Sequence, residues 1–429
     1  MTETLRAHTP PRGWNSWDCF GTSVTEAEVL ANAKFMSEHL LRHGWDTIVV
    51  DAQWFEPAAR RGGYNEDADV VLDSFGRPQP TLNRFPSASD GKGFAPLSSA
   101  IHDLGLKFGV HVMRGVPRRA ARDLLPVEGT RSTAADIANY ASPCHWNTDN
   151  WGIDLSHPDG VAYYRSLARM LASWGVDFVK ADDMLWPYHQ GEIEAFAAAL
   201  HEADPSIVLS LSPGEDVSTN FLGSLRENST MWRISNDLWD RWQDVLDQFQ
   251  RMARWAPLSR VGAWADADML PLGHIGIRAE RGDDRDSGLT IAEQRTLLTL
   301  WAIGGSPLFM GGDLPTSSDE TIRLLSNEMM LLVNAHGEQR HEVLRELDYV
   351  AWTAVVDGDP FAAIFNISDT MLTREIRLDA LGLVGEFDCV EAWFGTPSRV
   401  NKSIPVLLEP HDAMLVRLSR IVEVDSALR

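Results

Sequence analysis

The stretch Trp174-Gly175-Val176-Asp177-Phe178-Val179-Lys180-Ala181-Asp182-Asp183 decides how this chain is read. It starts as an apolar run with the character of a buried strand and ends in a lysine and two aspartates. Charged side chains at the end of a buried strand are costly unless they are paired or used. In a parallel α/β protein, that end of the strand opens on the catalytic cleft. Further along, Trp232-Arg233-Ile234-Ser235-Asn236-Asp237 repeats the pattern, with an arginine four residues before an aspartate. For either aspartate alone a surface salt bridge is the plainer explanation. Two of them, each at a strand end beside a tryptophan, argue for a site.

The surrounding text alternates short apolar runs with amphipathic stretches. Thr47-Ile48-Val49-Val50 runs into Asp51-Ala52-Gln53-Trp54, Lys107 to Met113 into Arg114-Gly115, and Ser206 to Ser210 into Ser212-Pro213-Gly214. Helical segments such as Glu26 to His43 and Gly160 to Ser173 lie between them. This is the βαβ pattern of a parallel sheet. It predicts a (β/α)8 TIM barrel over residues 1–337, with a doubly wound sheet as the alternative. After Glu338 the texture changes to short β-rich pieces, with Asp357-Gly358-Asp359 as a hairpin signal. Residues 338–429 therefore read as a C-terminal antiparallel β-sandwich. The long irregular segment 60–93 is expected to fold over the cleft or a neighbouring subunit, and leaves room for a homodimer.

Composition narrows the function. The chain has 429 residues, 44% of them hydrophobic, and a formal net charge of −23. That balance argues against nucleic acid and anionic membranes as partners, and no apolar run is long enough to span a bilayer. The three cysteines, Cys19, Cys144 and Cys389, show neither metal-ligand spacing nor a disulfide framework. With no apolar leader before the motif-like text at Trp14, a cytoplasmic protein without metal or cofactor is expected. Two carboxylates with attendant cations are the minimum equipment for cleaving a glycosidic bond. The substrate expected is a small oligosaccharide or glycoside. A sugar-binding barrel that has lost catalysis is the alternative from another class.

Several motifs in order carry a resemblance. Pro10-Pro11-Arg12-Gly13-Trp14-Asn15-Ser16-Trp17, Asn83-Arg84-Phe85-Pro86, His102 to Gly109, Trp174 to Asp182, Arg233 with Asp237, and Trp264-Ala265-Asp266-Ala267-Asp268-Met269-Leu270 follow one another. Together they resemble glycoside hydrolase family 27, the α-galactosidases and α-N-acetylgalactosaminidases, from about Thr9 to Gly337. The resemblance implies a retaining, exo-acting α-glycosidase for terminal α-galactosides. Asp182 would be the nucleophile and Asp237 the acid/base. Trp14, Asp51, Trp54, His111, Lys180, Ser212, Arg233 and Asp268 would bind the sugar. Physical chemistry adds that Lys180, two residues before Asp182 on one strand face, can hold its pKa down, and that burial near Trp232 and Trp239 would raise that of Asp237.

The departures bear on the substrate. The family's paired aspartates after the second strand are here Asp51-Ala52, so one carboxylate that holds sugar hydroxyls is missing. His111 stands where a tyrosine is usual. Met184 replaces a cysteine, which removes the partner that the resemblance would give Cys144. Ser212 stands where α-galactosidases carry a glutamate, though Glu215 lies three residues on. An α-N-acetylgalactosaminidase, a β-L-arabinopyranosidase and an α-glucan-acting enzyme are the alternatives within the family.

Overall fold

The computed structural model describes residues 7–215 and 217–421. Eight short parallel strands form one sheet: β1 (Arg12–Asn15), β2 (Thr47–Val50), β3 (Lys107–Met113), β4 (Phe178–Asp182), β5 (Val208–Leu211), β6 (Met231–Arg233), β7 (Trp264–Asp266) and β8 (Leu308–Met310). Neighbours pair in sequence order, and β1 also pairs with β8. A parallel bridge between Leu270 and Met310 joins the chain after β7 to β8, which closes the ring. The result is a barrel, as the alternating pattern predicts. Strands buried on both faces read as continuous apolar text rather than as alternation, and β2, Thr-Ile-Val-Val, is buried at every position.

Local signals fix where each strand starts. The helix Gly160–Ser173 ends on Trp174, and Gly175 adopts φ +72°. The Gly175 N–H donates to the Ala172 carbonyl at 3.0 Å and the Val176 N–H to that of Leu171 at 3.2 Å. This paired closure needs a residue at ease in the left-handed region. Its effect is to turn the chain straight into β4, which carries Lys180 and Asp182. On β1, a side chain on Gly13 would come within 2.4 Å of the Thr47 carbonyl, so only glycine lets β1 and β2 approach. The expected helix from Glu26 is capped by a Thr25/Glu28 box and stops at His39, with a tight turn over Leu41–His43.

Contacts divide the chain into two compact units. The first comprises 1–238, 260–287 and 307–318 and contains the whole barrel sheet; the second comprises 239–259, 288–306 and 319–429. The antiparallel strands of the second begin at Glu338. Tyr349–Val356 and Asp359–Asn366 form the hairpin foreseen at Asp357-Gly358, whose φ angles of +51° and +87° suit a two-residue turn of the primed type. A six-stranded sheet and the two-stranded sheet of Leu372–Arg377 with Ser403–Leu408 close over Ile364, Leu372, Ile376, Phe387, Val406 and Val416. Among the described residues no helix is long and apolar enough to cross a membrane.

Candidate active site

The carboxyl ends of the barrel strands bring the chemistry together. On β4, Lys180 and Asp182 alternate with Ala181 and so share the inner face. Lys180 Nζ reaches across to Asp51 Oδ2 at 2.8 Å, just past the end of β2. Asn15 Nδ2 donates to the same oxygen at 2.6 Å, and the Ala52 N–H to the other at 2.8 Å. Burial works against the Asp51 carboxylate, but Lys180, His111 and Asn15 outweigh it and hold its pKa below the ordinary value. Lys180 stays firmly charged: desolvation opposes its charge, and Asp51, Asp182 and Asp237 overcome it.

Asp182 is 6% exposed. His111 Nε2 lies 3.1 Å from its Oδ2, the Tyr64 hydroxyl 3.5 Å from the same atom, and the Asp183 N–H donates to Oδ1 at 3.0 Å. Burial alone would raise its pKa; the hydrogen bond and charge of His111, then Lys180 and the Asp183 N–H, carry it well below the carboxylate range. The sequence reading gave this task to Lys180 alone. In the fold Lys180 is bonded to Asp51, and the direct partner of Asp182 is His111 on β3.

Arg233 closes β6 and donates to Asp268 at 2.8 Å and Asp237 at 3.2 Å. Asp268 also accepts the Leu238 N–H at 2.6 Å. Burial lifts Asp268 to about 7 against the pull of Arg233, with Asp237 and Asp266 adding to the rise. Asp268 adopts φ +92° and Asp183 φ +60°. Such conformations cost on the order of 1–3 kcal/mol each and gather at functional sites.

Other expectations need correction. Asp237 is not buried by Trp232 and Trp239: its side chain is 47% exposed. Trp14 and Trp54 do not line the pocket. Trp14 is fully buried and its indole donates to the Gly312 carbonyl at 2.9 Å. Trp54 donates to the His111 carbonyl at 2.8 Å and packs on Phe55, Phe94 and Trp174. Ser212 follows β5 with a buried Oγ that has no partner. The pocket walls are instead Trp17, Asp18, Tyr64, Leu238 and Met269, with Asn15, Ser210 and Phe309 deeper in. Trp17 and Asp18 stand in the motif quoted above, whereas Tyr64 comes from the 60–93 segment and its side chain packs 4.9 Å from Trp17. Among the described residues no group of three His, Cys, Asp or Glu could hold a metal.

A buried carboxylate held ionised by a histidine, and a second, solvent-facing carboxylate held by an arginine, suit covalent capture of a sugar with proton transfer to its leaving group. Comparison with known proteins agrees. The family model for alpha galactosidase A (Melibiase_2) matches residues 152–336. The β-L-arabinopyranosidase of Geobacillus stearothermophilus, a glycoside hydrolase of family 27 solved as a variant in complex with arabinose, is 44% identical, covers 98% of this chain and 100% of its own, and superposes with a TM-score of 0.96.

The chain belongs to glycoside hydrolase family 27.

It is thus a glycosidase. More distant relatives are alpha-galactosidase 2 of Arabidopsis thaliana, 26% identical over 96% of this chain and 90% of that protein, and the alpha-N-acetylgalactosaminidase of Gallus gallus, 26% identical over 80% and 75%. The contact between His111 and Asp182 makes a prediction within this family frame. In His111→Phe, Asp182 loses a donor and its pKa rises. If Asp182 must be ionised for turnover, the acid limb of kcat/KM should therefore move to higher pH. An unmoved acid limb would show that His111 does not tune Asp182.

Proposed function

We propose that this enzyme removes terminal β-L-arabinopyranosyl residues by double displacement, with Asp182 as nucleophile and Asp237 as acid/base. β-L-Arabinopyranose has the ring configuration of α-galactose without the hydroxymethyl group at C5. The observation that carries the reading is Ala52. The residue after Asp51 is a buried methyl side chain that can bond no hydroxyl, where the resemblance places a second carboxylate. A sugar with one hydroxyl fewer loses nothing there, whereas a site lacking a partner for a hydroxyl gives up discrimination in its favour. The likeness to an arabinopyranosidase along the whole chain supports the same choice.

The steps follow from the side chains. Asp237 delivers its proton to the glycosidic oxygen while the ionised Asp182 attacks the anomeric carbon, giving a glycosyl ester and a free alcohol. Arg233 holds Asp268 at 2.8 Å and Asp237 at 3.2 Å, which fixes the acid/base at the mouth of the site. Asp237, now a carboxylate, then takes a proton from water, which attacks the anomeric carbon of the glycosyl ester and breaks its bond to the Asp182 oxygen. Two inversions give net retention, and Asp182 is released. Asp51 and Lys180, already bonded to each other, offer an acceptor and a donor to the sugar hydroxyls.

The test is kcat/KM for p-nitrophenyl β-L-arabinopyranoside, α-galactoside, α-N-acetylgalactosaminide and α-glucoside under one set of conditions. The arabinopyranoside should lead, with the α-galactoside second. If either of the other two leads, or the galactoside leads clearly, the proposal fails. An intracellular site of action is proposed with it, supported by three free, buried cysteines. Titrating the denatured, unreduced protein should yield three thiols per chain; a single thiol would point to a disulfide and an oxidising compartment.

A further inference from the structure

Asp18 is a pocket carboxyl that the mechanism above leaves unused. It sits in the short helix Trp17–Phe20, is 3% exposed, and lines the same cavity as Lys180, Asp182, Arg233 and Asp237. Its Oδ2 is buried with no hydrogen-bond partner. Gly311 backs the carboxyl closely: a side chain there would come within 2.0 Å of Oδ2. Its backbone is pinned as well, the carbonyl accepting the Gly276 N–H at 2.8 Å.

The groups that face it are the carboxyls of Asp268, Asp237 and Asp51 and the ammonium of Lys180. Both nearby cations are already committed, Lys180 to Asp51 and Arg233 to Asp268. An ionised Asp18 would be a desolvated charge among like charges with no cation of its own. Burial first, then Asp268 and Asp237, accordingly push its pKa well above the ordinary carboxylate value. A protonated carboxyl has an O–H to donate, and a buried donor without an acceptor is costly. Oδ2 is packed against Gly311, and among the described residues no side-chain hydrogen bond engages the other carboxyl oxygen, so a ligand hydroxyl in the cavity that Asp18 lines can serve as the acceptor.

We propose that Asp18 is a specificity-determining residue that donates a hydrogen bond to a hydroxyl oxygen of the bound sugar. This rests on the reading that Asp182 and Asp237 frame the sugar subsite. A neutral donor suits this place, because a further carboxylate here would be repelled by Asp268, Asp237 and Asp51, and a further cation would compete for Asp51 and Asp268.

The test compares Asp18→Asn, whose amide still donates but does not titrate, with Asp18→Ala, which cannot donate. The substrate is whichever p-nitrophenyl glycoside of the panel the wild type cleaves fastest, so the result does not depend on which sugar that is. Asp18→Ala should raise KM by about tenfold or more with a much smaller change in kcat, as for the loss of ground-state binding, and Asp18→Asn should recover most of that affinity. As pH rises, wild-type KM should climb while that of Asp18→Asn stays flat. Unchanged KM in Asp18→Ala, or Asp18→Asn as impaired as Asp18→Ala, would overturn the proposal. If Asp18→Ala does not fold, the pH profiles of wild type and Asp18→Asn decide alone: parallel profiles overturn it. Failure of the underlying reading would look different, as near-normal turnover by Asp182→Ala.

Discussion

Asp182→Ala is expected to lower kcat by about four orders of magnitude or more, the scale on which enzymes lose a covalent nucleophile. The residue has no understudy. Asp183 is adjacent, but its carboxylate is bonded to Arg114 Nε at 2.9 Å and points away from the sugar site. Asp51 is held by Lys180 and Asn15. Truncating Asp182 also opens a small space beneath the anomeric carbon while Tyr64 and His111 remain. Azide should enter that space and attack from the vacated face, restoring part of the turnover. On an arabinopyranoside the product should be the glycosyl azide of inverted anomeric configuration. Near-normal hydrolysis by the variant on every substrate that wild type cleaves would remove Asp182 from the mechanism.

The largest expected effect on stability lies at Arg114, the partner of the neighbouring Asp183. Arg114 is 1% exposed and bridges Asp183 and Glu192, with Nη2 also donating to the Ser142 carbonyl at 3.2 Å. Glu192 in turn accepts the Tyr164 hydroxyl at 2.6 Å and the Ile153 N–H at 3.2 Å. Arg114→Met would leave two buried carboxylates without their cation. Breaking a buried pair from one side costs about 3–5 kcal/mol, because an uncompensated charge stays behind. Replacing the carboxylates as well, in Arg114→Met/Asp183→Asn/Glu192→Gln, should cost less than the single change. Burial already pushes Asp183 up to about 6 despite Arg114, so the single variant should be least unstable at low pH, where Asp183 is protonated. Denaturant titration of the three proteins checks this; a loss below 1 kcal/mol in Arg114→Met would contradict it. Catalysis should suffer too, since the Asp183 N–H is a donor to Asp182.

The legible parts of this fold were those written in short-range patterns. Apolar runs ending in charge located β2, β3, β4 and β6, and the Asp357-Gly358 turn located the hairpin, because strand burial and turn geometry are local constraints. What failed to read through was long-range partnership. Lys180 and Asp182 are two residues apart and were linked for that reason, yet Lys180 pairs with Asp51, 129 positions away, and Asp182 with His111, 71 positions away. The tryptophans of the opening motif were exchanged in a similar way. Trp14 lies on a barrel strand and turns into the core, while Trp17, three residues on at the start of a short helix, forms part of the pocket wall. Neither adjacency nor composition separates these cases. Tyr64 had no signal beyond the irregular length of its segment. The exposure of Asp237 was missed because Trp232 and Trp239 flank it in sequence, whereas in the fold its side chain remains open to solvent.

The central claim is that Asp182 forms a covalent bond to the sugar, and one measurement addresses it directly. The enzyme is incubated with a 2-deoxy-2-fluoro glycosyl fluoride of the best panel sugar, which slows release of the glycosyl ester, then digested and mapped by mass spectrometry. The account predicts one added glycosyl unit on the peptide carrying Asp182, absent in Asp182→Ala. A glycosyl unit on Asp237 or on any other residue would contradict it.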